Sequence, residues 1–451
     1  MARHSRDGKP NYPLRRTVAA TGLIAVVGGG VWLGMSAFAG AGGTPGDAQE
    51  GVAATAPAAG GDGTSPGVKG AEEPVTAEES AAPAPSEDPV VFKLMMAGDV
   101  LPHATVNRNA SLPDGSYDYA PMMANVLPWI EYADIALCSL EVPLAPPGTE
   151  VSAYPVFGAP EGLISSLQAV GWDGCATATN HSLDRGVAGL EYTLEIMDEV
   201  GLGHAGTGRS PEETVSPQFY EVEKDGQVLT IAHLSATTFH NGYTEPSQYA
   251  RSLHALDAHQ IDAQAAAARE SGADVVVFTP HWGQEYWANL DGLQQDISAT
   301  LAAGGNVDVV LGGHPHVPQV IEMLPGGASG EGMWVAYSMG NFLSNQDEKC
   351  CVVATATGLL VTAEIALDPA SGEAKVTGVT WAGSTVDTEG RQRLHPIQSL
   401  ANGERPEGLT LSGAKIDSRW NNLIGQMGEE NHDPAPPQEP SDAVVTVVPR
   451  G

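Results

Sequence analysis

The sequence predicts an α/β protein in which sheets and helices pack as a layered sandwich. Two observations support this fold class: short apolar runs rich in Val, Ile and Ala alternate with helical patterns between Val91 and about Leu394, and no internal repeat is visible. Of the 451 residues, 54 are Gly and 33 are Pro, and together with Ala they are concentrated near the N-terminus. We therefore expect one sizeable folded domain, over residues 90–395.

Each element of this domain follows from the spacing of its apolar residues. Compact apolar runs predict strands at 91–97, 135–139, 174–179, 228–235, 275–279, 307–311, 333–337 and 359–366. Apolar residues three and four positions apart predict helices at 161–170, 187–200, 258–271 and 292–303. We expect a C-terminal extension over 396–451 that ends in an unpacked, acidic and Pro-rich tail from about Glu429.

The N-terminal region has the pattern of a membrane-targeting segment. Residues 17–39 carry no charge over 23 positions, and as a helix they would span a bilayer core of about 30 Å. Residues 1–16 are basic, so the positive-inside rule leaves them in the cytoplasm and predicts a single-pass membrane protein whose main domain is extracytoplasmic. Because Ala37-Phe38-Ala39 resembles a signal-peptidase site, secretion after cleavage is the alternative; the length of the apolar run favours a retained anchor.

Charge and cysteine content narrow the possible functions. With 21 Lys+Arg and 55 Asp+Glu, the formal net charge is −34, which argues against nucleic-acid binding through a broad basic face. Cys138 and Cys175 lie in apolar runs and are expected to be small buried side chains. Adjacent Cys350 and Cys351 cannot easily bridge each other, which leaves at most a pairing with the distant two cysteines in an oxidising compartment.

Polar side chains recur at the C-terminal ends of the predicted strands. The set consists of Asp99, Glu141, Asn180, His281, His314 and His316. Loops after strand C-termini converge on one edge of an open α/β sheet, so these residues can meet in one site. Carboxylate, amide and imidazole ligands suit Mn, Fe(II), Zn or Mg, and the sequence predicts a divalent-metal centre, with two ions plausible.

The arrangement of this set indicates the chemistry. A bridging carboxylate would let two ions activate a water and clamp the oxygens of an in-line displacement at phosphorus. Two histidines in a His-x-His pattern on an extended segment would point both rings to the same side and reach one metal centre.

Six motifs resemble, in order and spacing, those of the CapA capsule-synthesis family, also called the poly-gamma-glutamate biosynthesis protein family, over roughly residues 91–394. They are GDVLPH (98–103), SLEVPL (139–144), TNHSLDRG (179–186), HWGQEY (281–286), GGHPHVPQ (312–319) and YSMGNFL (337–343). The resemblance implies a metallophosphoesterase-like sandwich related to the calcineurin-type phosphoesterases. It also implies an extracytoplasmic protein, anchored by one N-terminal helix, that takes part in synthesis or export of a poly-gamma-glutamate capsule.

The resemblance also implies roles for individual residues. Asp99 would be the first-strand ligand, Glu141 the acid of the second motif and Asn180 a ligand near the bridge, with the three later histidines as imidazole ligands. His181 would face the substrate as general acid, with Asp184 as its orienting partner. A helix N-cap is an equally good interpretation of Asp184.

Two departures from the phosphoesterase pattern affect the metal ligands. That pattern has a histidine two residues after the first aspartate, where this chain has Leu101, so His103 is a weaker candidate for the missing ligand. Glu141 stands where the pattern has a bridging aspartate, and the longer side chain would hold one ion firmly and the second weakly.

Five neighbouring residues are candidates for substrate contact, each with an alternative. Arg185 could pair with a phosphate or carboxylate, or form a surface salt bridge. Trp282 and Tyr286 could line a pocket or pack against a strand end. Glu285 could accept a hydrogen bond from His281. Asn341 could orient the site or shape a turn.

Three classes of function are compatible with these features. The first is a membrane-anchored protein that acts with capsule-synthase membrane subunits in making or exporting an anionic envelope polymer. The second is a metal-dependent phosphoesterase that cleaves a phosphomonoester or phosphodiester at the cell surface. The third is a binding module that only holds a ligand. The acidic surface would repel a glutamate polymer, so contact with it would be transient or bridged by metal ions.

Residues 40–89 predict a disordered linker that proteases cut readily. They contain no aromatic residue and no Leu, Ile or Met, so they cannot bury enough apolar surface to offset the entropy lost on ordering. Limited proteolysis followed by mass spectrometry should therefore trim this segment and leave a core that begins near Val91. Stable fragments that start at several fixed positions inside the segment would contradict this expectation.

Overall fold

The computed structural model describes residues 88–243 and 255–450. The anchor predicted at 17–39 and nearly all of the linker predicted at 40–89 lie outside these residues. Among the described helices, none combines the length and the apolar character needed to cross a membrane.

The first sheet has eight strands within the described residues. Its main path runs β14 (Arg393–Pro396), β13 (Ala374–Asp387), β12 (Thr357–Leu367), β1 (Val90–Val100), β2 (Ile135–Leu140), β3 (Gly174–Ala176) and β4 (Gly203–Ala205), and β11 (Asn341–Leu343) pairs with β1. Strands β1 to β4 are parallel neighbours. Their C-terminal ends therefore lie at one edge of the sheet.

The second sheet has seven strands in the same part of the chain. Its order is β15 (Val444–Val447), β5 (Gln218–Lys224), β6 (Gln227–Thr237), β7 (Val275–His281), β8 (Val309–Leu311), β10 (Met333–Ala336) and β9 (Ile321–Leu324). Strands β6, β7, β8 and β10 run parallel. The loops after β7 and β8 therefore emerge together.

Ten α-helices occur in the described ranges. They are α1 (Ala104–Ala110), α2 (Ala120–Met123), α3 (Leu127–Tyr132), α4 (Gly162–Ala169), α5 (Gly186–Val200), α6 (Pro211–Val215), α7 (Ala258–Glu270), α8 (Gly292–Gly304), α9 (Ile397–Ala401) and α10 (Gly413–Met427). Helix α8 begins with a capping box, in which the Asp291 carboxylate accepts the backbone N–H of Gln294 at 2.8 Å. This pairing satisfies donors that a helix start otherwise leaves free.

The two sheets stack between two layers of helices. Alternate side chains of β1 enter different cores: Leu94 and Met96 join the apolar cluster between the sheets, whereas Met95 and Ala97 join the cluster under the helices α1 to α4. Helices α7 and α8 cover the outer face of the second sheet. Both faces of the central strands are therefore buried, which explains why their sequences are almost continuously apolar. The predicted layered α/β sandwich is confirmed.

The eight predicted strands and four predicted helices are all present, with ends shifted by a few residues. The C-terminal tail differs from its prediction. Residues 444–447 form the edge strand β15 against β5, and the Arg450 guanidinium donates to the carbonyls of His204 (2.8 Å), Thr207 (3.1 Å) and Ser216 (3.0 Å). The expectation of an unpacked tail is wrong for this segment, because a strand edge was open for pairing.

The cysteines also differ from their prediction. Cys138 and Cys175 are register partners on β2 and β3, with Cα atoms 4.4 Å apart, and they form a disulfide. The expectation of two separate buried thiols is therefore wrong. The structure also joins Cys350 to Cys351, a pairing that the sequence analysis considered difficult.

We expect Arg450→Ala to lower the free energy of unfolding by about 2–3 kcal/mol, because several buried carbonyl groups lose their charged donor. Lys375→Ala is the matched control: its ammonium pairs with Glu331 at 3.1 Å on the exposed surface and should contribute less than about 1 kcal/mol. Denaturant unfolding of the two variants measures the difference. Equal losses in both variants would show that the C-terminal segment is not held by these bonds.

Candidate metal centre

The site forms where the C-terminal edges of the two sheets meet. Asp99 lies near the end of β1, Glu141 follows β2, and Asn180 lies in the loop after β3. The second sheet contributes His281, the last residue of β7, and the turn 312–319 after β8. A bridge between His281 and Gly313 holds these two segments side by side.

The ligand atoms fall into two groups that share one carboxylate. Asp99, Glu141 and His316 form the first group, and Glu141, His281 and His314 form the second; within each group the atoms lie within 4.8 Å of one another. Glu141 Oε1 lies 3.7 Å from Nε2 of both His281 and His316. Glu141 is therefore placed where a bridging ligand would be.

Three further contacts lie within the two groups. His316 Nδ1 lies 3.2 Å from Asp99 Oδ2, and His314 Nδ1 lies 3.1 Å from His281 Nε2. Asn180 Oδ1 lies 2.9 Å from His281 Nε2, which adds an amide oxygen to the second group. The structure thus brings together all six residues that the sequence proposed as metal ligands.

The residues present fit a divalent cation. Both oxygens of Glu141 are buried and have no hydrogen-bond partner among the described residues. Burial raises the pKa of Glu141 well above its usual value, and Asp99 and Glu285 add to the rise against an opposing effect of His316. A buried carboxylate without a partner is costly unless a positive charge lies beside it.

The three imidazoles differ in protonation. Burial and neighbouring histidines lower the pKa of His281 well below its usual value and that of His314 to about 3. Burial also opposes the charge on His316, but Glu141 and Asp99 outweigh it and raise its pKa to about 9. Two rings are therefore neutral and ready to act as ligands, while His316 must lose its proton before it can bind a metal.

The turn that carries His314 and His316 is not the extended segment that the sequence predicted. Both residues have positive φ, 96° and 58°, which is uncommon for residues with a Cβ. A Cβ at Gly313 would lie 2.6 Å from Asp99 Oδ1, so glycine lets the backbone approach that carboxylate. The His314 N–H then donates to Asp99 Oδ2 at 3.2 Å. Local backbone strain, and not strand alternation, brings the rings together.

His181 lies beside the ligand groups and is held by a carboxylate. Its Nδ1 is 2.7 Å from Asp184 Oδ2, and the Asp184 carboxylate also accepts the backbone N–H of Phe157 at 2.7 Å. Helix α5 begins at Gly186 with no side-chain cap, so the alternative role of Asp184 as an N-cap is wrong. The carboxylate fixes the ring of His181 instead.

Of the five candidate substrate contacts, two lie at the mouth of the site. The Tyr286 ring is 6.1 Å from the His316 ring and is partly exposed. Glu285 is exposed and close enough to influence the pKa values of Glu141 and His316. It does not orient His281, because His281 Nδ1 has no hydrogen-bond partner in the described structure.

The other three candidates make contacts inside the protein. Trp282 is fully buried and donates to the Tyr337 carbonyl at 2.8 Å, so it is a packing residue. Arg185 donates to the Phe157 carbonyl at 3.2 Å and to Ser152, and it forms no salt bridge with the described residues. Asn341 is buried, and its amide donates to carbonyls in the loops around it, including that of His316 at 3.4 Å.

His103 lies near the centre but outside both ligand groups. Its Nδ1 is 2.9 Å from the Leu101 carbonyl, and Leu101 itself is buried in the core. Burial, helped by His316, lowers the pKa of His103 to about 4. The ring is therefore neutral.

Sequence reasoning missed several residues that surround the centre. Ser139 donates to Asp99 Oδ1 at 3.1 Å. The Phe157 ring packs 4.7 Å from that of His181, the Phe239 ring packs 4.5 Å from that of His314, and Asn241 Nδ2 lies 3.3 Å from His181 Nδ1. Only Ser139, within the motif SLEVPL, carried a signal; the others lie in loops without a motif.

Carboxylate, amide and imidazole side chains at the meeting edges of two sheets define a candidate metal centre in an α/β protein. The family model described as "Bacterial capsule synthesis protein PGA_cap" matches residues 93–346, more than half of the chain. The chain therefore belongs to this family of capsule synthesis proteins.

Relatives and solved structures extend the comparison. The chain is 22% identical over 272 residues to "Capsule biosynthesis protein CapA" of Bacillus anthracis, covering 59% of this chain and 63% of that protein. It is 29% identical over 170 residues to "PGA biosynthesis protein CapA" of Bacillus subtilis (strain 168), covering 38% and 42%. The calcineurin-like phosphoesterase YfkN from Bacillus subtilis matches with a TM-score of 0.37 at 14% identity, over 75% of this chain and 98% of that one, a likeness too low to carry an argument.

We expect Glu141→Ala to remove most of the bound divalent metal, because Glu141 belongs to both ligand groups. Glu364→Ala, which changes an exposed acid on β12, is the control and should bind metal like the unmutated protein. Elemental analysis of purified protein offered Mn, Fe and Zn measures the content. Folded, unmutated protein with under about 0.1 equivalent of each metal would contradict a metal centre.

Proposed function

We propose that this chain is an extracytoplasmic protein of capsule or related envelope-polymer assembly that works through its metal centre. Its family membership supports the capsule role, and the PGA named for the Bacillus subtilis relative makes poly-gamma-glutamate the first polymer to consider. Residues 17–39 would anchor it, and capsule-synthase membrane subunits would be its partners. The observation that carries the role of the site is Glu141, a buried carboxylate shared by two ligand groups.

The centre would hold two divalent ions. Asp99, Glu141 and His316 would take one, while Glu141, His281 and His314 would take the other together with Asn180. Divalent ions in such a set act as Lewis acids on phosphoryl oxygens and lower the pKa of water. The donor set suits Mn, Fe(II), Zn or Mg.

A second candidate function is a phosphoesterase activity of the chain itself, on a phosphomonoester or phosphodiester. The specific observation in its favour is the pair of His181 and Asp184, 2.7 Å apart at the edge of the ligand groups. With Nδ1–H donating to Asp184, Nε2 is left to carry a proton to a leaving oxygen. Asp184 keeps the ring in that orientation.

We expect His181→Ala to lower turnover of a generic phosphodiester by roughly 10²–10⁴ and to leave metal content nearly unchanged, because a general acid contributes about this much to the rate. His316→Ala should lower metal content and turnover together, since it removes a ligand. Turnover and metal content are measured on the same preparations of the full-length protein.

The same pair of variants separates the two functions. If the metal-loaded, unmutated protein cleaves none of the phosphoesters tried, yet His316→Ala abolishes polymer production in cells, the hydrolase function is rejected and the site serves binding or assembly. If His181→Ala and His316→Ala lose metal equally, His181 is not a proton donor held apart from the ligands.

A further inference from the structure

In the part of the chain that the structure describes, the most exposed aromatic side chains lie in loops near the metal centre. Among the described residues, the Phe, Tyr and Trp side chains that are most exposed are Tyr154 (73%), Trp287 (55%), Phe239 (37%) and Tyr286 (36%). Tyr154 lies in the segment after β2, Tyr286 and Trp287 follow β7, and Phe239 follows β6, the strand beside β7. Exposed apolar groups of this size cost solvation free energy, and their grouping marks an interaction surface.

Two of these side chains lie beside histidines of the ligand groups, and a third lies beside Phe157, the neighbour of His181. The Phe239 ring lies 4.5 Å from the His314 ring, and the Tyr286 ring lies 6.1 Å from the His316 ring. The Tyr154 ring lies 6.5 Å from Phe157, whose own ring packs against His181. We call Tyr154, Phe239 and Tyr286 the aromatic rim.

The backbone fixes part of this rim. Tyr286 has a φ of 67°, an uncommon conformation for a residue with a bulky side chain. Its N–H donates to the Pro315 carbonyl at 2.8 Å, between the two histidines of the metal turn. The Tyr286 ring is therefore held in place relative to His316, as a binding surface requires.

Apart from any bound metal ion, the charges at the mouth are unfavourable to a polyanionic ligand of high charge density. Glu285 is exposed beside Tyr286, and the ion pairs of Asp99, Glu141 and Asp184 in the described structure involve only histidines. No lysine or arginine of that part pairs with these acids. A glutamate polymer would bring one carboxylate per residue and no ring, so the rim offers it neither counter-charge nor a stacking partner.

A sugar ring matches what the mouth provides. One face of a pyranose is apolar C–H surface that lies on an aromatic ring, while its edge carries hydroxyl donors. The Glu285 carboxylate and the Asn241 amide, exposed near the rim, are suitable partners for such hydroxyls. A single phosphoryl group attached to the sugar would reach the ligand groups.

We propose that the aromatic rim binds the pyranose ring of a glycosyl phosphoester, which makes a sugar phosphoester of the cell envelope the substrate class of this site. This inference rests on the proposed function, because it assigns the ligand of the same centre. It concerns side chains of the rim that bind no metal.

The test compares two probes of equal charge that differ in the ring. Full-length, metal-loaded protein should have a kcat/KM for glucose 1-phosphate that falls roughly fivefold to tenfold in Tyr154→Ala, while the value for glycerol 3-phosphate stays unchanged. Tyr154→Phe keeps the ring and should restore the value. Met323→Ala, which changes an exposed apolar residue of β9, is the control and should alter neither probe.

A second measurement does not depend on turnover. In the presence of EDTA, saturation-transfer NMR should detect methyl glucoside on the unmutated protein, and the signal should fall at least about fivefold in Phe239→Ala and Tyr154→Ala. Ring binding without hydrolysis would reject the phosphoesterase activity and uphold the rim as a sugar site. Hydrolysis that Tyr154→Ala lowers equally for both phosphate probes would overturn the rim and uphold the activity.

Two other ligands, adenosine monophosphate and a γ-glutamate oligomer, give the results that would contradict the sugar proposal. If adenosine monophosphate shows a stronger rim-dependent signal than methyl glucoside, the surface binds bases and the sugar proposal is overturned. If a γ-glutamate oligomer displaces methyl glucoside from the unmutated protein, the rim belongs to a polypeptide site and the proposal is overturned as well.

Discussion

A buried carboxylate without a hydrogen-bond partner is the constraint on which the rest of the structure depends. Glu141 lies between His281 and His316, and both of its oxygens lack a donor in the described structure. Transfer of such a group from water costs several kcal/mol unless a proton or a cation compensates it. Two acids and three imidazoles are buried together here, and this grouping is stable only when their charges are balanced. His316, 3.7 Å from Glu141 Oε1, can supply one positive charge, and a cation bound between the ligand groups would supply more.

Each sheet of the sandwich carries only part of the ligand set. The first sheet carries Asp99 and Glu141, and the second carries His281 and the turn with His314 and His316. Neither sheet holds a full ligand group by itself. The aliphatic core between the sheets fixes their separation, so packing in that core sets the distances between ligands at the edge. Parallel strands make this possible, since their loops leave on the same side.

The sequence predicted what depends on local pattern and missed what depends on pairing. Apolar runs located eight of the fifteen described strands, including the long β1, β6 and β12, and the polar residues after several of them identified the ligands. The 14-residue β13 was missed because its first half is only partly buried and carries no apolar run. The disulfide of Cys138 and Cys175 could not be foreseen because it follows from the register of β2 against β3. The strand β15 was missed because its partner edge is more than two hundred residues away in sequence. The roles of motif neighbours such as Trp282 and Arg185 stayed open between alternatives, because adjacency in sequence does not determine which way a side chain points.

The strained turn connects the centre to its mouth. His314 and His316 have positive φ, and the strain is offset by the His314 N–H bond to Asp99 and by the Tyr286 N–H bond to Pro315. The first bond joins the turn to a carboxylate of the first ligand group. The second bond sets the position of the Tyr286 ring at the mouth. The positions of the ligands in the centre and the shape of the surrounding surface therefore depend on the same short segment of backbone.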